Sequence, residues 1–192
     1  RDVESIRPCL GCQDGCMYRP GSTGAFLSCS VNPHCGRENA SPASQASTPR
    51  RILIAGGGVA GMECARMAGL RGHKVTLFER TQELGGHLIE ASVPQFKEDI
   101  KRLLDWYRKQ LNDLKVETTL GTAVTPALVD RLSPDALIIA TGSVPVIPSI
   151  PGAGRESVST CCDLLSGRKR AGKNVVVVGG GLEGCETALW LA

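Results

Sequence analysis

The sequence has no apolar run approaching 18 residues, so nothing in it has the length of a membrane-crossing helix, and no basic-then-apolar leader opens it. It also lacks a charge bias. Its 22 Lys and Arg stand against 19 Asp and Glu, a net +3 with no run of one sign, which leaves no argument for nucleic acid or an anionic membrane as partner. With neither leader nor span, the expected location is the cytoplasm. Histidine is scarce: His34, His73 and His87 stand far apart, each expected as a surface or hydrogen-bonded residue, with His87 singled out because it follows "LGG". What remains, 42% hydrophobic and 21% charged, is the composition of a soluble globular chain of one or two modest domains. The chain begins at Arg1 without a methionine and stops within a helical pattern at Ala192, so a piece of a longer polypeptide is expected.

Cysteine, by contrast, is plentiful. There are nine, an odd number and too few for a disulfide scaffold. Five fall before residue 36, which points to a metal site in a reducing compartment. Cys9, Cys12 and Cys16 share the loop "RPCLGCQDGC", and Cys29 follows at the spacing C-x2-C-x3-C-x12-C. Structural zinc usually takes two C-x2-4-C knuckles, whereas three crowded thiols with a fourth apart suit a cubane iron-sulfur cluster. Zinc remains the rival, and Cys35 is a possible substitute ligand outside the favoured set. Cys64 and Cys185 lie in helical patterns after Gly-rich turns and are expected in the core. Cys161 and Cys162 are adjacent, where a disulfide would be strained.

Four stretches follow one another. Residues 1–37 are turn-rich, as expected of a cluster-binding loop segment organised by something other than a core. Residues 38–50 are a Ser-, Ala- and Pro-rich connector. Residues 51–150 read as the first part of a dinucleotide-binding domain, and 151–192 as the start of a second. The stretch 51–80 gives an apolar strand, a Gly-rich turn, a helix and a second strand ending at Glu79. Between 97 and 114, Ile100, Leu103, Leu104, Tyr107, Leu111 and Leu114 recur at helical spacing. A strand is expected at 115–119 and a buried one within "DALIIATGSVPVIP", 135–148. The fold class is therefore α/β, a Rossmann-like βαβ dinucleotide-binding unit preceded by an irregular cluster-binding loop.

The first turn fits G-x-G-x-x-G at Gly56, Gly58 and Gly61, with Glu79 eighteen residues after Gly61. Each part has a physical task. Gly56 permits the tight turn, Gly58 lets backbone approach a pyrophosphate, and Gly61 lets helix and strand pack closely, while Glu79 can accept hydrogen bonds from an adenosine ribose. "VVVVGGGLEGCETA" repeats "ILIAGGGVAGMECA", placing Gly179, Gly181 and Gly184 in the same roles after a strand of four valines. Two such sites in one chain suggest a flavin and a nicotinamide nucleotide set to exchange a hydride.

In order, "RPCLGCQDGC", "VNP", "ILIAGGGVAGMECA", "GHKVTLFER", "ELGGHL", "IIATGSVPVIPSIPG" and "VVVVGGGLEGCETA" resemble the multidomain old-yellow-enzyme-like NAD(P)H:flavin oxidoreductases, the group of 2,4-dienoyl-CoA reductase and trimethylamine dehydrogenase. That resemblance implies a 4Fe-4S cluster on Cys9, Cys12, Cys16 and Cys29. It implies FAD contacts at Gly56, Gly58, Ala60, Gly61, Glu79, Arg80, His87, Val124 and Gly142, although many relatives carry Gln in place of His87 and some keep ADP in this site. NAD(P)H is implied at Gly179, Gly181 and Gly184, with Glu183 where a small or apolar residue is usual. FMN in a barrel absent from this sequence would reduce a small organic substrate, often an enoate or enoyl thioester; a homo-oligomer is compatible with the plan. Two rivals stand beside it. One is an FAD-dependent disulfide reductase, for which only Cys161 and Cys162 could serve; the other is a non-catalytic electron-transfer or nucleotide-binding subunit. No catalytic residue is named.

Overall fold

The computed structural model describes residues 3–39 and 44–192, so the middle of the expected connector, 40–43, lies outside the described residues. The N-terminal segment is built of short turns: a 3-10 turn at Val3–Ser5, a π turn at Asp14–Tyr18 and helix α1 at Arg19–Thr23. Then come β1 (Arg51–Ala55), α2 (Val59–Leu70), β2 (Lys74–Phe78), α3 (His87–Ala91), α4 (Glu98–Asp113), β3 (Glu117–Thr119), α5 (Pro126–Leu132), β4 (Ala136–Ile139), α6 (Cys161–Leu165) and α7 (Leu182–Leu191). The strands form one parallel sheet in the order β3-β2-β1-β4. The α/β class expected from the alternating pattern is the one the chain adopts.

Alternation along β1 and β2 explains the layers, because successive strand residues point to opposite faces. Ile54 and Leu77 join Met62 and Ala65 of α2 and Leu103, Leu104, Tyr107 and Leu111 of α4 in the larger core. Leu53 and Phe78 meet Leu128 of α5 on the other side. A strand covered on both faces reads as a continuous apolar run, which is why "RILIA" shows no polar alternation. Helix α5 starts on Thr125, whose hydroxyl accepts the Leu128 N–H at 3.3 Å, with Pro126 in the first turn.

The α4 stripe is buried much as its spacing predicts, with one addition, Trp106. Its indole N–H donates to the Ser5 carbonyl at 3.0 Å, and the Arg7 guanidinium lies 4.4 Å above its ring and 5.7 Å from that of Tyr107. Arg7 also pairs with Glu63 of α2 at 3.0 and 3.2 Å and donates to the Val31 carbonyl. Glu63 in turn holds Arg66 at 2.9 and 3.0 Å. Burial pushes the Glu63 carboxyl up, but Arg66 and Arg7 together hold it below the usual range. Leu10 and Val31 pack on the same core. The N-terminal segment is thus fastened to the sheet domain by one nearly buried arginine and a few apolar side chains, a link that turn-rich sequence did not foreshadow.

Four expectations change. The buried strand sought in 135–148 is the short edge strand β4, where Leu137 and Ile139 are 40% and 73% exposed, because among the described residues β1 is its one neighbour and nothing covers its outer face. The strand at 115–119 contracts to β3, with Lys115 at φ 54 closing the turn after α4. Val175–Val178 join no ladder among the described residues, and Val176 and Val178 are largely exposed. Cys185, expected in a core, is exposed for the same reason, whereas Cys64 in the first copy packs against the larger core.

Candidate functional site

All the loops of the first unit's site leave the carboxyl ends of parallel strands. Gly56 follows β1, Glu79 follows β2, and Ala140 to Gly142 follow β4. The strand order reverses direction between β1 and β4, the place where open parallel sheets leave a crevice. The turn after β1 is held by three hydrogen bonds: Gly56 N–H to Phe78 O at 2.8 Å, Gly57 N–H to Glu79 Oε2 at 2.7 Å, and Gly85 N–H to Gly57 O at 2.9 Å. Glycine is required here sterically. A Cβ on Gly56 would lie 2.2 Å from the Ala140 carbonyl oxygen, and one on Gly61 would lie 1.9 Å from that of Gly56. Gly58 is the N-cap of α2 and supplies no side chain to its first amides, which leaves the positive end of a twelve-residue helix open.

Glu79 is buried, and its carboxylate is already engaged. Besides Gly57 it accepts the Thr81 N–H at 2.8 Å and the Thr81 hydroxyl at 2.9 Å. Burial raises its carboxyl, and the bonds from Thr81 and Gly57 outweigh that and keep it below the usual value, so it is an anion near neutral pH. Around this pair the turn brings Ala60, exposed in the first turn of α2, and Arg80, exposed beside Glu79. Val124 packs beside Leu53, Phe78 and Leu128. Gly142, at φ 74, follows β4. His87 opens α3 after Gly85 and Gly86, and Gly85 bridges to Gly58. Gly57 and Thr81, the partners of Glu79, were not among the expected residues. Gly57 could have been suspected as the middle of three consecutive glycines; Thr81 carries no signal.

The second turn has the same local shape. Gly179 has φ 110 where Gly56 has 111, Gly181 caps α7 as Gly58 caps α2, and a Cβ on Gly184 would lie 2.0 Å from Gly179 O. Its surroundings differ, since a Cβ on Gly179 would meet nothing within 4 Å.

In the N-terminal segment Gly15 is buried, and a Cβ there would lie 2.8 Å from the Ser28 carbonyl oxygen. Ser28 N–H bonds Gly15 O at 3.0 Å, which sets the neighbouring Cys16 and Cys29 on adjacent stretches of backbone. The Gly11 amide donates to Cys9 Sγ at 3.3 Å, and Cys12 Sγ lies 3.4 Å from Ser30 Oγ. The Ser30 hydroxyl and the Asp14 amide hold the Cys12 thiol below its ordinary pKa. These features favour thiolates. Cys35 sits close by, its thiol raised by burial and by the nearness of Cys29, Glu38 and Cys16. Among the described residues the set of donors drawn within 4.8 Å of one another is His87, Glu90 and Cys162, so the four loop thiols do not have the spacing of a single-ion site. Thiolates around a cubane bind separate irons and stand farther apart than the donors of a single ion.

The chain matches the family described as pyridine nucleotide-disulphide oxidoreductase over residues 21–130 and 51–192. It is 47% identical to cinnamate reductase of Clostridium sporogenes over 98% of this chain and 28% of that protein. It is 43% identical to NADH oxidase of Thermoanaerobacter brockii, over 97% of this chain and 30% of the relative. A solved 2-naphthoyl-CoA reductase in complex with 2-naphthoyl-CoA superposes with a TM-score of 0.92 at 34% identity, covering 98% of this chain and 29% of the other. The chain belongs to the pyridine nucleotide-disulphide oxidoreductase family, within the multidomain old-yellow-enzyme-like NAD(P)H:flavin oxidoreductases. It spans under a third of the length of these relatives. No helix among the described residues is long and apolar enough to cross a membrane.

Proposed function

We propose that this chain is the electron-entry part of an NAD(P)H-dependent flavin oxidoreductase. In this reading FAD binds along Gly56, Gly58, Ala60, Gly61, Glu79, Arg80, His87, Val124 and Gly142. NAD(P)H approaches the turn of Gly179, Gly181 and Gly184, and a 4Fe-4S cluster sits on Cys9, Cys12, Cys16 and Cys29. When bound, FAD would supply an acceptor for one hydride, two electrons, from NAD(P)H, and a cluster on these thiols would supply one-electron transfer toward an FMN elsewhere in the protein, where an enoate or enoyl thioester would be reduced.

The observation that carries the reading is the Gly57–Glu79 bond, which fixes an ionised carboxylate at the lip of the glycine turn. A carboxylate has about four lone-pair positions, so after its three contacts Glu79 retains acceptor capacity for one ribose hydroxyl, at Oε2, and a second would have to displace one of the Thr81 bonds at Oε1. The open amides of α2 favour the pyrophosphate. Arg80, exposed beside Glu79, is available to the adenosine end. Gly142 keeps the lip clear on the β4 side, because no side chain projects there. In the cysteine loop, the amide of Gly11 and the hydroxyl of Ser30 steady thiolates, as an electron-transfer centre requires. The names of the relatives, reductases of a cinnamate and of an aromatic acyl-CoA, support the class of substrate.

Cys12→Ser tests the arrangement in the complete enzyme. A serine hydroxyl stays protonated near neutral pH and replaces a soft ligand poorly. Flavin reduction by NAD(P)H in stopped-flow should persist while reduction of the organic substrate falls by orders of magnitude. Parental turnover in a cluster-free variant would overturn the electron route.

A further inference from the structure

The packing of α3 on α6 brings together a group of side chains of which only His87 enters the reading above. His87 and Glu90 lie one turn apart on α3, and Cys162 comes from the first turn of α6; their donor atoms are all within 4.8 Å of one another. The imidazole is clamped at both nitrogens, with Nδ1 2.8 Å from Glu90 Oε1 and Nε2 3.1 Å from the Ser143 carbonyl oxygen. Both partners are acceptors, whereas a neutral imidazole carries one N–H. If Nε2–H goes to Ser143, a cation must stand between Nδ1 and the carboxylate, and that cation is either a proton or a metal ion. A backbone carbonyl on the far ring nitrogen is also the outer partner that fixes the tautomer and orientation of metal-bound histidines.

Cys162 completes the set. Burial first, then the charges of Cys161 and Glu90, push its thiol up to about 12, so in the absence of a metal the thiol keeps its proton against the Glu90 carboxylate. Imidazole, carboxylate and thiol together are a donor set for zinc and its neighbours, whereas magnesium and calcium take oxygen ligands. We propose that His87, Glu90 and Cys162 form a three-ligand site for a divalent ion of the zinc class, with water in the fourth position. Binding exchanges protons for metal: the Cys162 S–H and the Nδ1–H protons leave, S–metal and N–metal bonds form, and no electrons move. Arg168, held 2.8 Å from Asp163 and close enough to feel Glu90 and Cys162, opposes the incoming charge and limits affinity. Because α3 follows the first glycine turn and α6 precedes the second, the ion would pin the connecting segment to the first unit.

The test is zinc binding to the purified protein with its native cofactors, washed free of divalent ions by a chelator. One zinc per chain is expected, with one sulfur and otherwise nitrogen or oxygen neighbours in zinc-edge X-ray absorption. Cys162→Ser should remove the sulfur neighbour, and Cys162→Ser and Glu90→Gln should each weaken binding at least about 10-fold. Both substitutions keep the side-chain size, so folding is preserved. No retained zinc in the parent would overturn the site. So would zinc bound undiminished in both variants, including zinc with several sulfur neighbours that is lost instead in Cys12→Ser, which would place it in the cysteine loop.

Discussion

The two glycine turns share a sequence pattern and nearly superposable dihedral angles, yet one is embedded and the other is bare. Gly56 sits under the Ala140 carbonyl, between β1 and the loop after β4, and its neighbour Gly57 is tied to Glu79. Gly179 has no atom near its missing Cβ, and the four valines before it pair with nothing among the described residues. The turn and the start of its helix are therefore local properties, set by glycine's access to positive φ and by the short path from Gly181 to α7. A strand is not local, because its hydrogen bonds belong to a neighbour. In the first copy that neighbour is β2, which follows the helix; after α7 these 192 residues provide no counterpart.

Substituting the paired glycines probes this contrast most severely. Gly56→Ala combines a positive φ with a backbone collision at 2.2 Å and should destabilise the fold by about 3 kcal/mol or more, whereas Gly179→Ala carries the dihedral strain alone, about 1–2 kcal/mol. Thermal unfolding of the two variants side by side decides it; equal losses would mean that the second turn is as enclosed as the first. Gly61→Ala and Gly184→Ala, by contrast, should behave alike, since each collides with the carbonyl of its own turn.

Next in size is Arg7→Ala, which acts on the first copy's N-terminal support. It leaves Glu63 nearly buried with one partner fewer and uncovers Trp106, a loss of about 3 kcal/mol. Residues 3–37 should become protease-sensitive while the sheet stays protected, as seen by limited proteolysis and mass spectrometry.

Glu79→Gln removes the charge that holds Gly57 and Thr81 and should cost about 1.5–3 kcal/mol, with weaker flavin retention measured by equilibrium dialysis. Its pH behaviour has a defined sign. The folded-state carboxyl lies below its unfolded value, so its stabilisation is complete above about pH 4.3 and fades as pH falls through the folded value. The parent should therefore lose more stability than Glu79→Gln between neutral pH and the acid range. The smallest effect belongs to Lys97→Ala, which breaks the ion pair with Glu186 of α7, a link between the two copies; it should cost at most about 1 kcal/mol and leave the first turn untouched.

Much of the first unit was legible in advance. An unbroken apolar run, a glycine turn, a helical stripe and an acid at the end of the next strand each obey a short-range rule, and β1, α2, β2 and α4 follow them. The glycine turn after β1 and the acid after β2 stand where the same rules put them. Trp106 escaped the stripe because its cover, Arg7, lies about a hundred residues away in the chain. The trio of His87, Glu90 and Cys162 escaped because a histidine and an adjacent cysteine pair carry no shared spacing until α3 packs on α6.

By itself, then, the sequence determined the features whose energetics close within a few residues: which glycines bend, which helix carries a stripe, where thiols crowd. The tertiary structure alone decided which apolar runs become paired strands, which acid meets which amide, and which arginine anchors the cysteine loop. Those outcomes depend on contacts between segments distant in the chain, whose burial and hydrogen bonding exist only once the sheet has assembled.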